Sequence, residues 1–144
     1  MPSCEPEGAT PPVLAIDPGR SKCGLAVVRG DGTPLQLRIV PAPDLGAAVA
    51  ELVQAHGVAT VLMGDRTTSR EAARIVRGSC PGAQVRFVDE HMSTLRARQR
   101  YFDAHPPRGL LRLLPRGLRT PPEPYDDYVA LVLAEDYLGK SKES

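Results

Sequence analysis

Residues 13–28, "VLAIDPGRSKCGLAVV", decide the fold. Val13 to Asp17 is a short apolar run that ends on an aspartate, the pattern of a buried strand. Pro18 and Gly19 make a tight turn, with Arg20 and Lys22 close behind. A second apolar run, Cys23 to Arg29, then returns. "GDGTP" (Gly30 to Pro34) is a turn cluster, and Leu35 to Val40 alternates apolar with polar like a half-buried third strand. Three strands on tight connections predict an antiparallel meander.

Beyond this point the period changes. Asp44 is a helix N-cap, followed by Leu45, Ala48, Val49, Leu52 and Val53 at helical spacing, with Gly57 as the stop. Ala59 to Met63 is a fourth strand. Thr68 and Glu71 form a capping box for a helix through about Arg77, ended by Gly78. Gln84 to Val88 is a fifth strand running into "DEHMSTLRARQRYFDAH", a helix ended by Pro106 and Pro107. A Pro/Arg/Leu-rich loop follows to Pro122, and Pro124 opens a last helix to about Leu138. The order β-β-β-α-β-α-β-α-α predicts an α/β fold with one mixed sheet and helices on its faces.

The chain has 144 residues, 42% hydrophobic and 24% charged, which suits one globular domain. We expect a disordered tail over 1–12, a folded domain over 13–138 and a short tail over 139–144. No apolar run is long enough to span a membrane, and the N-terminus lacks the basic start and apolar core of a signal peptide, so a cytoplasmic location is expected. Cys4, Cys23 and Cys80 match no zinc spacing and read as reduced thiols, Cys23 packed in a strand. The net charge of +1 is uninformative, but its distribution is not. Between His91 and Thr120 seven arginines face one acid, Asp103, a local basic segment.

Acids collect at strand ends. Asp17 ends the first strand, Asp65 follows the fourth, Asp89 and Glu90 follow the fifth, and Asp126 and Asp127 start the last helix. In open α/β sheets, ligand sites form outside the carboxyl ends of the strands. Acids gathered there repel one another unless a cation sits among them. Carboxylate ligation selects Mg²⁺ or Mn²⁺ over zinc, and paired ions of that kind serve phosphodiester cleavage. The Pro18-Gly19 turn would let a substrate backbone approach closely. Taken singly, each acid has a plainer reading: Asp17 as a turn former, Asp65 with Thr67 and Thr68 as a turn and cap, Asp126 as an N-terminal helix-dipole partner.

In order, "IDPGRSKCGLAVV", "VDEHMST" and "YDDYVALVLAEDYL" resemble the three acidic motifs of the YqgF/RuvX family, RNase H-like proteins related to the RuvC Holliday junction resolvases. The resemblance spans Val13 to Leu138. It implies a five-stranded mixed sheet of order 3-2-1-4-5 flanked by helices. It also implies Asp17, Glu90 and Asp126 as catalytic acids and metal ligands for Mg²⁺ or Mn²⁺, with Asp127 as the substitute for Asp126. Helical periodicity does not separate those two. The expected nucleic-acid contacts are Arg20, Lys22, Thr67, Thr68, His91, Arg96, Arg98 and Arg100. The chain departs from the family at three places. Ser21 stands where a basic residue is usual, flanked by Arg20 and Lys22. His91 replaces the arginine of the second motif, and the central motif "GDRTTSREAARIV" is short. His91 reads either as an aid to leaving-group departure or as a hydrogen-bonded structural residue. The arginines from Arg96 onward read either as phosphate contacts or as a solvated face.

The expected function is a metal-dependent endonuclease on branched DNA. Processing of precursor ribosomal RNA, an activity also associated with the family, is the alternative within the class. A non-catalytic nucleic-acid-binding module would be expected to have lost one of the three acids. A phosphotransferase of the actin/sugar-kinase type needs two such domains. Leu110, Leu111, Leu113 and Leu114, set among arginines, suggest a homodimer interface that suits the two-fold symmetry of a four-way junction.

Overall fold

The computed structural model describes residues 11–65, 68–88, 93–105 and 126–143. The N-terminal tail, Thr67, Glu90, His91 and the Pro/Arg/Leu stretch with Leu110–Leu114 lie outside the described residues. β1 (Val13–Asp17), β2 (Lys22–Val28) and β3 (Pro34–Pro41) form the expected meander. A single helical turn, Ala42–Asp44, leads into α1 (Leu45–His56), which stops at Gly57 in the left-handed conformation, φ 67°. β4 (Thr60–Gly64), α2 (Ser69–Ser79), β5 (Gln84–Val88), α3 (Ser93–Ala104) and α4 (Asp126–Glu143) complete the chain. The sheet order is β3-β2-β1-β4-β5, with β1, β4 and β5 parallel. This is the RNase H-like α/β arrangement.

Alternation along the strands builds two cores. Leu14, Ile16, Cys23, Leu25 and Val27 face α1 and α2. Val13, Ala15, Ala26 and Val28 face α4, against Ala130, Leu131, Leu133, Ala134 and Leu138. On α4's other side, Val129 and Val132 pack on Ala97 of α3. Residues 129–134 of α4 are therefore all buried, as expected of a helix between a sheet and another helix. Full burial of each leucine stabilises by roughly 1.5–3 kcal/mol, so the helix is held firmly. Among the described residues no helix is long and apolar enough to cross a membrane.

Three local expectations are revised. Gly78 lies inside α2, which runs on to Ser79 and ends at Cys80. α4 continues past Leu138 to Glu143. The Thr68–Glu71 capping box is absent: Thr68 caps no backbone amide with its side chain, and its Oγ1 donates instead to the Pro18 carbonyl at 3.2 Å. Glu71 accepts from Arg74 at 2.6 Å. The hydroxyl thus ties the start of α2 to the turn after β1. Ser69 Oγ adds a second tie, to the carbonyl of Gly64 at the end of β4.

Candidate active site

Asp17 is the last residue of β1 and only 6% exposed. Its partner across the β1–β2 ladder is Gly24. Directly opposed residues of an antiparallel pair share a face, and the alternation that sends Val13 and Ala15 toward α4 sends Asp17 there too. Gly24 explains how α4 arrives. A Cβ at this position would collide with the backbone carbonyl of Asp126. The first turn of α4 therefore rests on the bare backbone of β2, opposite Asp17. Ala15, Ala26, Ala130 and Ala134, all buried, keep the rest of the helix–sheet contact close. An acid from residue 17 and an acid from residue 126 are thus brought to one face at the carboxyl end of β1.

Lys22, the first residue of β2, belongs to the same face by alternation with Gly24 and Ala26. Its Nζ lies 3.8 Å from Asp126 Oδ2. Lys22, one position after Ser21, is thus a basic residue on this face. Ser21 instead serves the chain, its carbonyl accepting from the Ala42 amide at 2.9 Å. Gly19 is also structural. A Cβ there would strike the Lys22 carbonyl, so the chain's own turn needs the glycine. Cys23 points to the opposite core, and burial raises its thiol pKa. A weak contact from Sγ to the Gly19 carbonyl at 4.0 Å opposes that rise, and the carboxylates of Asp17 and Asp126 add to it.

Asp126 and Asp127 part company in three dimensions. Asp126 sits over Gly24 beside Lys22. Asp127 is half-buried; burial foremost raises its carboxyl above the ordinary value. Hydrogen bonds from its own and the Tyr128 backbone amides (the latter at 3.0 Å) oppose the rise. The Asp126 charge reinforces it, and His105 counters it. His105 stacks on Tyr101 at 4.6 Å and meets Tyr128 edge-on at 6.2 Å. This cluster joins the end of α3 to the first turn of α4.

The arginines of α3 have partners within the domain. Arg96 is bidentate to Asp136, with one contact at 2.7 Å, and Arg100 pairs with Glu135 at 2.9 Å. Arg98 is half-buried and Arg20 exposed. Asp65 is exposed, and its amide donates to the Val88 carbonyl at 3.0 Å, joining the ends of β4 and β5.

Among the described residues no three acids, histidines or cysteines come together as a metal cluster. Asp17 and Asp126 nonetheless fit a hard cation: both donors are carboxylate oxygens, and a positive group already stands beside Asp126. Glu90, two positions beyond Val88 at the end of β5, lies outside the described residues. Sequence reasoning missed the seat for α4 at Gly24. Its signal was present as the second glycine of "DPGRSKCG".

No protein-family model matches the chain, and no curated protein matches it. Solved structures do. The chain is similar to Thermus thermophilus RuvC in complex with a Holliday junction substrate, with TM-score 0.61, 18% identity, and coverage of 94% of this chain and 97% of that one. It is also similar to a second Thermus thermophilus RuvC structure, with TM-score 0.62, 19% identity, and coverage of 92% and 96%. At this level of identity the likeness establishes that the chain has a RuvC-like, RNase H-like fold.

Proposed function

We propose that this protein is a divalent-metal-dependent endonuclease acting on branched DNA. The observation that carries the reading is the meeting of Asp17 with the first turn of α4, seated on Gly24, at the carboxyl end of β1. The fold likeness extends over nearly the whole of both chains and is consistent with it. Asp17 and Asp126 would hold the ion, with Glu90 as the third acid. An ion so held supplies charge neutralisation at the scissile phosphate and a water of lowered pKa. The chain's own contribution is placement. A central strand fixes the backbone of Asp17, and a helix buried on two sides fixes that of Asp126. Asp127, half-buried and raised by burial, is the weaker candidate for the position given to Asp126.

The test is a cleavage assay on a four-way junction, a linear duplex and a structured RNA, with Mg²⁺, Mn²⁺, Ca²⁺ or EDTA. Cleavage of the junction is expected with Mg²⁺ or Mn²⁺ and not with EDTA. Asp17→Asn should lower it on the order of 10³-fold or more while binding persists. Cleavage that survives EDTA would contradict the metal reading. Cleavage of RNA alone would move the substrate to precursor ribosomal RNA.

A further inference from the structure

The Lys22–Asp126 pair has a consequence for how the site loads. Lys22 is the first residue of β2, on the face shared by Asp17 and Asp126, and its ammonium stands 3.8 Å from Asp126 Oδ2. Its side chain is 44% exposed and that of Asp126 31%. A partly exposed pair at this separation is weak, so it is readily broken. A lysine ammonium is a point charge on a flexible four-carbon stem, able to reach more than one partner from one Cα. A cation entering at Asp126 meets this ammonium as a like charge.

We propose that Lys22 is the resident counter-cation of Asp126: it competes with the divalent ion for that carboxylate and, once displaced, binds a phosphate of the nucleic acid. This rests on the nuclease reading above, which supplies the ion and the phosphate. One residue would then do two tasks in sequence. Without metal, Lys22 neutralises Asp126 and contributes little to nucleic-acid binding. With metal, its charge is released beside the strand end where the scissile phosphate is expected. Divalent binding and phosphate binding thereby become coupled through one side chain, and by linkage each favours the other.

Two measurements test this on the full chain. The first is Mn²⁺ binding, followed by the electron paramagnetic resonance of free Mn²⁺, for the unmodified protein, Lys22→Met, Asp126→Asn and the double variant. Removing a positive charge next to the ion should tighten binding about three- to tenfold in Lys22→Met. The same substitution should change nothing in the Asp126→Asn background. The second is the salt dependence of binding to a four-way junction. Each phosphate contact adds about 0.9 to the slope of log affinity against log salt. With Ca²⁺ the unmodified protein should exceed Lys22→Met by about that much, and with EDTA the two slopes should coincide. Mn²⁺ binding that depends on Asp17 and Asp126 but is unchanged or weakened in Lys22→Met would overturn the Lys22 proposal and leave the nuclease reading standing. So would an equal slope difference in both media. Mn²⁺ binding indifferent to Asp17 and Asp126 would overturn both.

Discussion

Replacing Gly24 by alanine tests the geometry on which the site depends. The added methyl would overlap the carbonyl of Asp126, and its contact is with backbone rather than with a flexible side chain. Nothing can rotate aside, so either the first turn of α4 lifts from β2 or β2 bends. Overpacking of a close-packed contact costs about 1–3 kcal/mol, and backbone against backbone belongs at the upper end. For a domain of this size about 3 kcal/mol corresponds to a Tm lower by roughly 10 °C. The loss should exceed stability alone, because the lifted turn carries Asp126 away from Asp17; Mn²⁺ affinity should fall as well. Gly78→Ala is the control. Gly78 lies inside α2 with open space where its Cβ would stand, so alanine there should stabilise by about 0.5–1 kcal/mol through helix propensity. Thermal unfolding followed by circular dichroism, with Mn²⁺ titration alongside, reads both. A Gly24→Ala protein that melts with the unmodified one would refute the seating of α4 and with it the placement of Asp126.

Three further outcomes are expected. Thr68→Val should destabilise by about 1 kcal/mol, since the Pro18 carbonyl loses its donor, and Thr68→Ser should restore most of it; denaturant unfolding is the measurement. Burial raises the Asp127 carboxyl in the folded state above its ordinary 3.8, so the folded protein binds more protons than the unfolded one just above that pH. Stability therefore falls as pH rises from the ordinary carboxylate value through the folded one. Asp127→Asn should remove this slope and be the more stable form above the window, with the advantage gone below about pH 3.8; unfolding across a pH series would show a persistent slope if the reasoning fails. A double-mutant cycle on Arg96 and Asp136 should give a coupling of about 0.2–1 kcal/mol that fades in 1 M salt, and no coupling at low salt would mean that the bidentate pair does not fasten α3 to α4.

The strands, their order of appearance and the position of Asp17 at a strand end were legible in the sequence, because hydrophobic period and turn residues are local properties. The run "VLAID" announces a buried strand by composition alone, and "GDGTP" announces the turn after the second. What the chain order could not decide were matters of contact between distant segments. Asp126 and Asp127 are one residue apart on a helix buried on both sides, so periodicity offered two equivalent faces; the Lys22 ammonium beside Asp126 is what separates them. Ser21 occupied the expected basic position by count, but strand alternation places Lys22 on the face of the acids. Thr68 and Glu71 had the spacing of a capping box, yet a carbonyl fifty residues earlier in the chain took the hydroxyl. Arg96 and Arg100 read as phosphate contacts or a solvated face, and no local pattern announced that α4 would set Asp136 and Glu135 beside them. In each case the local pattern allowed several partners of similar energy, and the choice among them was made by packing, which belongs to the tertiary structure and to no single stretch of sequence.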